Sequence, residues 1–340
     1  MTRLAMMPSL LKALMLSVAL AFLGAEGARA GDGLEIQRIA NGAPGGHVHP
    51  TACVTKSGAV LVAHFSEKPG HIFLVRSTDE GRTWSDAGEV ADIGGGEPYP
   101  GALTTLSDGR VLLTWNYWVD PKNIKTSGRR PWFATSADDG RTWSAPRKLP
   151  LDDAPDAYVR HSILEMSPHE WVFPMGDRVI RFDPLSDTVK AFDDQKLANG
   201  PLVRTQSGAL LHATGRRSTD GGKTWTTIKP FAPAASYHND MHVLANGWVM
   251  VAYLPENRTV RLVVSRDEGL TWNLRTPWVI YDPGHRIGRA TPQIVQLDAE
   301  HIGIVFWDAF WSEDKPLPNN PGVYFARISM DELKRHVVPN

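Results

Sequence analysis

The stretch Ser77-Thr78-Asp79-Glu80-Gly81-Arg82-Thr83-Trp84 decides the architecture, because it recurs. The pattern Ser-x-Asp-x-Gly-x-Thr-Trp returns at Ser136 to Trp143, at Ser218 to Trp225 and at Ser265 to Trp272. From average residue usage, one chance copy is expected only about once in 10⁴ chains of this length. Four copies therefore mark a repeat. Its physics is that of a tight β-hairpin turn. The short Asp side chain accepts hydrogen bonds from the backbone N–H groups of its own turn. Gly supplies a positive φ, the Ser and Thr hydroxyls satisfy further polar groups, and the Trp is expected to plug inward. A calcium loop is the rival reading, but each copy offers too few carboxylates for the six to eight oxygens Ca²⁺ takes.

Outward from these turns a second, looser repeat appears: an apolar run, a polar turn usually ending in Gly, then another apolar run. It is found at Pro50 to His64, Pro100 to Trp115, His161 to Pro174, Pro201 to Ala213, Asp240 to Tyr253 and Pro292 to Trp307. Each reads as two strands joined by a short turn. Six such units give about 50 residues apiece, the size of a four-stranded propeller blade. The expected fold is all-β, a six-bladed β-propeller of four-stranded antiparallel blades. The Ser-x-Asp-x-Gly-x-Thr-Trp turn joins strands 3 and 4 of blades 1, 2, 4 and 5. Leu34 to Ile39 closes the ring as the outer strand of blade 6, and Asp331 to His336 forms a terminal helical turn.

Composition agrees with this reading. The chain has 340 residues with 12 Trp, 30 Gly and 25 Pro, a turn-rich and aromatic-rich balance. Cys53 is the only cysteine, which excludes a disulfide scaffold, and its place on an inner strand suggests a small buried hydrophobe. A formal net charge of −1 without a basic run argues against nucleic acid as a partner. Residues 1–30 read as a signal peptide, with Arg3 and Lys12, an apolar run from Ala13 to Gly24, and Ala28-Arg29-Ala30 as a cleavage site. The apolar run is too short to span a bilayer, which takes roughly 20 residues. The protein is thus expected to be exported, periplasmic or extracellular, with 31–340 as one propeller.

Strand direction alternates within a blade, so the loops segregate to two faces. The repeated turns occupy one. The other collects the starts of the first strands and the 2–3 loops, and there the sequence concentrates His, Arg, Tyr and carboxylates. Binding residues belong on loops held by a rigid scaffold. Histidine suits proton transfer, and arginine suits a carboxylate or sulfate.

The four turns in a six-bladed register resemble the Asp boxes of the sialidase (neuraminidase) superfamily, over essentially all of 34–330. The resemblance implies three arginines on the substrate carboxylate, a Tyr backed by Glu as nucleophile and an Asp as general acid. Arg216, in Leu210-Leu-His-Ala-Thr-Gly-Arg216, matches the second arginine, and Arg258, in Asn257-Arg258-Thr-Val-Arg261-Leu, matches the third. The first arginine's motif, Phe-Arg-Ile-Pro in the family, stands here as His47-Val48-His49-Pro50. The Glu position falls on Gly200, the Tyr position near Thr291, and the carboxyl nearest the acid position is Glu67. The implied protein is a sialidase-like scaffold with a rebuilt, non-standard site.

The leading expectation is therefore a glycoside-hydrolase-type enzyme acting on an acidic sugar. Its candidate catalytic residues are His49, Glu67, His161, Tyr237, His238 and Asp308, with Glu256 and Asp240 as further carboxyl candidates. The candidate substrate-binding residues are His47, Tyr99, Arg160, Arg216, Arg258 and Arg289. No cofactor and no metal are expected. The partner is carbohydrate, anionic in kind, with no nucleic acid and no membrane span. Two alternatives stay open. A polysaccharide lyase would use His49, His161, His238, Tyr158 and Tyr237 as acid and base on a uronate. A non-catalytic propeller would only bind glycan or protein.

Overall fold

The computed structural model describes residues 29–30, 34–41, 48–65, 71–90, 98–99, 101–118, 129–151, 157–175, 178–191, 197, 200–228, 239–255, 258–284, 291–308 and 322–337. They form six antiparallel sheets arranged as the blades of a propeller. Blade 1 is Thr51–Val54, Val60–Phe65, Ile72–Ser77 and Ser85–Val90, in that order from the axis outward. Blades 2 to 5 repeat this meander. Blade 6 takes three strands, Gln293–Gln296, His301–Asp308 and Gly322–Ser329, from the chain's end and its outermost strand, Glu35–Asn41, from the beginning. That strand runs antiparallel to Gly322–Ser329, with Glu35 opposite Arg327. The ring is thus closed by backbone hydrogen bonds, which removes two open edges at once. Arg29–Ala30, inside the expected leader, pairs with Tyr281 and Asp282 at the rim of blade 5.

Both faces of a blade pack against neighbours, so the second strands are apolar throughout rather than alternating. Val60–Phe65 is buried at every position, and so is Val249–Tyr253. Each of the six blade–blade seams has its own hydrophobic core among the described residues. The terminal helix, Met330–Val337, is capped by Ser329, whose Oγ accepts from the Glu332 N–H at 3.1 Å, and it covers the seam between blades 5 and 6.

The Asp boxes are built alike. In the first, Asp79 accepts from Ser77 Oγ at 2.7 Å and from the Thr83 N–H at 2.8 Å, while Ser77 Oγ accepts from the Gly81 N–H at 2.8 Å. The same bonds recur around Asp138, Asp220 and Asp267. The Trp is less inward than expected. Only Trp225 is buried, while Trp84, Trp143 and Trp272 are half-buried along the seams. Trp84 meets Phe325 of blade 6 edge-on, with ring centroids 4.9 Å apart.

Each box is also a socket for the preceding blade. Arg327 of blade 6 donates to the Glu80 carbonyl and carboxylate, both at 3.1 Å, in the box of blade 1. Arg76 of blade 1 reaches the Asp139 carbonyl in the box of blade 2. Arg181 of blade 3 donates to the Gly221 carbonyl of blade 4 at 2.6 Å, and Arg217 of blade 4 meets Glu268 of blade 5 at 3.3 Å. The equivalent strand-3 positions of blades 2 and 5 carry Thr135 and Val264. They face blades 3 and 6, which have no box. The arginine is present where the next blade offers a socket and absent where it does not.

Candidate functional site

On the face opposite the boxes, the starts of the first strands of blades 1, 2, 3, 5 and 6 converge on one small mouth at the propeller axis, a cavity of about 30 Å³ that opens into about 350 Å³ when the space in front of it is included. His49 and Thr51 come from blade 1, Gly101 from blade 2, Arg160 and His161 from blade 3, Asn239 and Asp240 from blade 5, and Thr291 and Gln293 from blade 6. His49, Arg160, His161 and Asp240 are all buried in its wall, at 2, 9, 4 and 5 % exposure.

Local structure explains how each is placed. Asn116, at the end of the second strand of blade 2, donates from Nδ2 to the Val159 carbonyl at 2.7 Å. Its Oδ1 accepts from the Val159 N–H at 2.8 Å. This two-way clasp fixes the backbone just before Arg160 and His161. At Gly101 the chain passes so close to the next strand that a Cβ would lie 1.8 Å from the Thr114 carbonyl oxygen, so only glycine fits. On the other side of the mouth, His49 and Thr291 both have φ of +28°, each directly before a proline. Such values are strained for any residue with a Cβ, and most of all for a β-branched one. One side chain supports both. Trp307 donates from Nε1 to Thr291 Oγ1 at 3.1 Å and packs its ring 5.3 Å from that of His49.

The floor of the mouth is polar and crosses the axis. Gln293 Oε1 accepts from Thr51 Oγ1 and from the Ala52 N–H, both at 2.6 Å, while its Nε2 donates to Ser162 Oγ at 2.8 Å. Below this crosspiece lies an axial channel of about 400 Å³ lined by all six inner strands, with Cys53, Arg204, His242 and Gln296 in its wall. Asp240 borders both spaces. Burial pushes the Asp240 carboxyl up to about 7, against the pull of the Ile294 and Met241 backbone groups. Its ionisation is therefore moved into the neutral range. Burial likewise pushes the Cys53 thiol up to about 12 and the His242 imidazole down to about 4. Cys53 is an inert core residue.

Of the residues expected from sequence to form the site, His49, Arg160 and His161 come together. Asp308 does not join them. It is buried between blades 5 and 6, where its Oδ2 accepts from Tyr281 Oη at 2.8 Å, and it is absent from the mouth's lining. Burial, then the Asp308 charge, push the Tyr281 hydroxyl far above the ordinary phenol range. Arg258 is exposed in the turn after the second strand of blade 5 and does not line the cavity. Arg216 opens the third strand of blade 4 beside His212, half-buried and outside the described lining. At Gly200 a Cβ would sit 3.2 Å from His212 Cε1, so that position has no room for a longer side chain unless His212 gives way. His47, Glu67, Glu256, Tyr237, His238 and Arg289 lie outside the described residues. Tyr99 is described only in its backbone, which pairs with Asn116. Sequence reasoning missed Gln293, Asn239 and the importance of Asp240. A signal existed for the first: His49-Pro50-Thr51 and Thr291-Pro292-Gln293 share a pattern in which the residue after the proline faces the axis.

A three-residue group with metal-ligand chemistry, Glu80, Asp298 and His301, lies on the box face. Glu80 is paired there with Arg82 at 2.9 Å and Arg327 at 3.1 Å, which accounts for it as a latch between blades 6 and 1.

Comparison with known proteins agrees with the architecture. Residues 216–227, spanning the third box, match the BNR/Asp-box repeat. The chain is 27% identical over 216 residues to a sialidase of Micromonospora viridifaciens, a match covering 63% of this chain and 28% of that protein. This chain thus aligns with just over a quarter of that relative's length. Among solved structures, the intramolecular trans-sialidase of Ruminococcus gnavus superposes with a TM-score of 0.60 at 12% identity, covering 85% of this chain and 95% of that one. An α-L-arabinofuranosidase of Fusarium graminearum superposes with a TM-score of 0.62 at 16% identity, covering 90% and 99%. The fold is that of a sialidase-like propeller.

Proposed function

We propose that the protein is an exported glycan-active enzyme of the glycoside hydrolase type, which takes an acidic sugar at the mouth between blades 1, 2, 3, 5 and 6. The observation that carries the reading is Asp240, a buried carboxyl in the wall of the same small cavity as a buried arginine and two buried histidines, where burial raises its pKa to about 7. A glycosidic bond breaks when its leaving oxygen is protonated as the sugar gains oxocarbenium character. A carboxyl with a pKa near the working pH is suited to give that proton and take it back. Arg160 would hold the sugar's anionic group, since a buried guanidinium bordering a cavity favours a planar carboxylate. His161 and His49 would orient and deprotonate the attacking water. The similarity to a sialidase and to propellers that include an arabinofuranosidase supports carbohydrate as the substrate class, and the N-terminal 30 residues support export.

The test is turnover on a panel of acidic and neutral glycans, read by reducing-end release and product mass. Asp240→Asn is expected to lower kcat by about 10²–10⁴-fold. Arg160→Met should raise KM for acidic substrates and leave neutral ones alike. Undiminished turnover in Asp240→Asn would sink the reading. An unsaturated, ultraviolet-absorbing product would reassign the same residues to elimination, and binding without turnover would leave a recognition module.

A further inference from the structure

The residues proposed for chemistry come from blades 1, 3 and 5, which are not neighbours in the ring, yet one side chain and the backbone beside it link them. Gln293 stands on the first strand of blade 6. Its Oε1 accepts from Thr51 Oγ1 and the Ala52 N–H in blade 1, and its Nε2 donates to Ser162 Oγ in blade 3. Thr51 is two residues after His49, and Ser162 directly follows His161. Ile294, the next residue after Gln293, donates its N–H to Asp240 Oδ2 of blade 5 at 2.8 Å. The network continues sideways into blade 2. Thr51 Oγ1 accepts from the Leu103 N–H at 2.7 Å, and Ser162 Oγ donates to the Leu103 carbonyl at 3.3 Å. Each hydroxyl thus donates once and accepts once, and both polar ends of the amide are engaged.

We propose that Gln293 is the positioning residue of the mouth: its carboxamide sets the relative placement of His49 and His161 by tying blades 1, 3 and 6 at one height on the axis, while the Ile294 N–H beside it holds Asp240 of blade 5. It acts through its neighbours rather than on a substrate, and it floors the mouth above the channel. The role requires this side chain. Asn is one methylene too short to reach both partners, and Met matches the length but lacks the donor and acceptor. The seams already hold the blades together with apolar cores, so the amide is not needed to keep the ring closed. What it adds is direction, and a displacement of about 1 Å at a reacting group costs on the order of 10²-fold in rate. The kinetic half of this inference rests on the function proposed above. The structural half does not.

The experiment uses the whole chain with isotope-labelled histidine and follows each imidazole by NMR, beside turnover. Gln293→Met is expected to move the His49 and His161 signals together, while His169 and His301 on the box face stay in place. The arms separate: Thr51→Val should move His49 more than His161, and Ser162→Ala the reverse. Where turnover is measurable, Gln293→Met should lower kcat about 10²-fold with a smaller change in KM. Gln293→Glu, which keeps the acceptor for blade 1, should restore the His49 signal but not that of His161. Folded variants whose His49 and His161 signals match the parent would overturn the inference and leave the proposed function standing. Shifted histidines with no glycan turned over would do the opposite. If Gln293→Met fails to fold, Thr51→Val and Ser162→Ala decide, since each removes one arm only.

Discussion

The two faces of the propeller are built by opposite rules. The box face is one recipe used four times. The Asp, Ser and Thr bonds that shape a box run within eight consecutive residues, and the long-range arginine from the preceding blade is itself repeated. The mouth face repeats little beyond the strained residue before a proline at His49 and Thr291. Five blades each contribute a different residue at the same height, and the bonds among them span 131 residues between Ser162 and Gln293 and 242 between Thr51 and Gln293. The lesson is a division of labour. Local, redundant contacts hold the ring, and single, non-redundant contacts shape the site. Damage to one face should therefore read out as stability, and damage to the other as function.

The largest separation is expected from the box glycines. A Cβ on Gly81, at φ +83°, would lie 2.5 Å from Phe325 Cε1 of blade 6, so Gly81→Ala combines backbone strain with a clash at the ring's closing seam. It should cost roughly 2–4 kcal/mol in denaturant unfolding. Gly58, at φ +87°, has nothing within 4 Å of its would-be Cβ, and Gly58→Ala should cost only about 1 kcal/mol, the strain alone. The difference measures the blade–blade contact. Neither change should alter ligand affinity at the mouth per folded molecule. A mouth that weakens in step with Gly81→Ala would mean that the two faces are coupled after all.

A smaller effect is expected at the sockets. Arg327→Met removes the clamp on the Glu80 carbonyl and should cost about 1–2 kcal/mol, most of it from the backbone bond, because the carboxylate contact is partly exposed and screened. Arg181→Met, whose bond to the Gly221 carbonyl lies at a seam with ordinary chain continuity, should cost no more than that. If Arg327→Met proves harmless, the strand Glu35–Asn41 alone closes the ring.

The same contrast explains what the sequence disclosed. Six blades, four boxes, the closing strand and the terminal helix were legible because each is a short, periodic pattern. The socket arginines were in plain view, two of them as Arg76-Ser77 and Arg217-Ser218. They could not be understood one repeat at a time, since each depends on the box of the following blade. Thr135 and Val264 become meaningful only once blades 3 and 6 are seen to lack one. At the mouth, His49, Arg160 and His161 could be proposed from polarity at the strand starts. Asp308 has the same polarity and loop position, yet Tyr281 turns it into a seam, which no local pattern foretells. Gln293 looked like an ordinary polar residue, because its partners lie in other blades.

The smallest effect is a pair of slopes in stability against pH, with opposite signs on the two faces. In the boxes, the Thr142 hydroxyl and N–H hold the Asp138 carboxyl down to about 2. The unfolded chain binds its proton first, so the stability this box contributes is complete above the ordinary carboxylate range and is lost as pH falls toward about 2. At the mouth, Asp240 is raised from 3.8 to about 7, so the folded state binds the extra proton. Stability from this group falls as pH rises across that window and levels off above it. Three histidines, the buried His64 and His212 and the half-buried His242 of the channel wall, are each pushed down to about 4 by desolvation and act the other way, adding stability as pH rises from 4 toward 6.5. Three histidines outweigh one carboxyl between pH 4 and 6.5, so the parent's own curve rises there and hides the Asp240 slope. The difference between parent and Asp240→Asn cancels the histidines. Thermal unfolding of the pair should show the variant gaining on the parent as pH rises to about 7 and holding its lead beyond. Asp138→Asn should differ from its parent by an amount that shrinks only in strong acid. Parallel Asp240→Asn and parent curves from pH 4 to 8 would mean that the carboxyl ionises normally in the mouth, and the proton assigned to it would have to come from another residue.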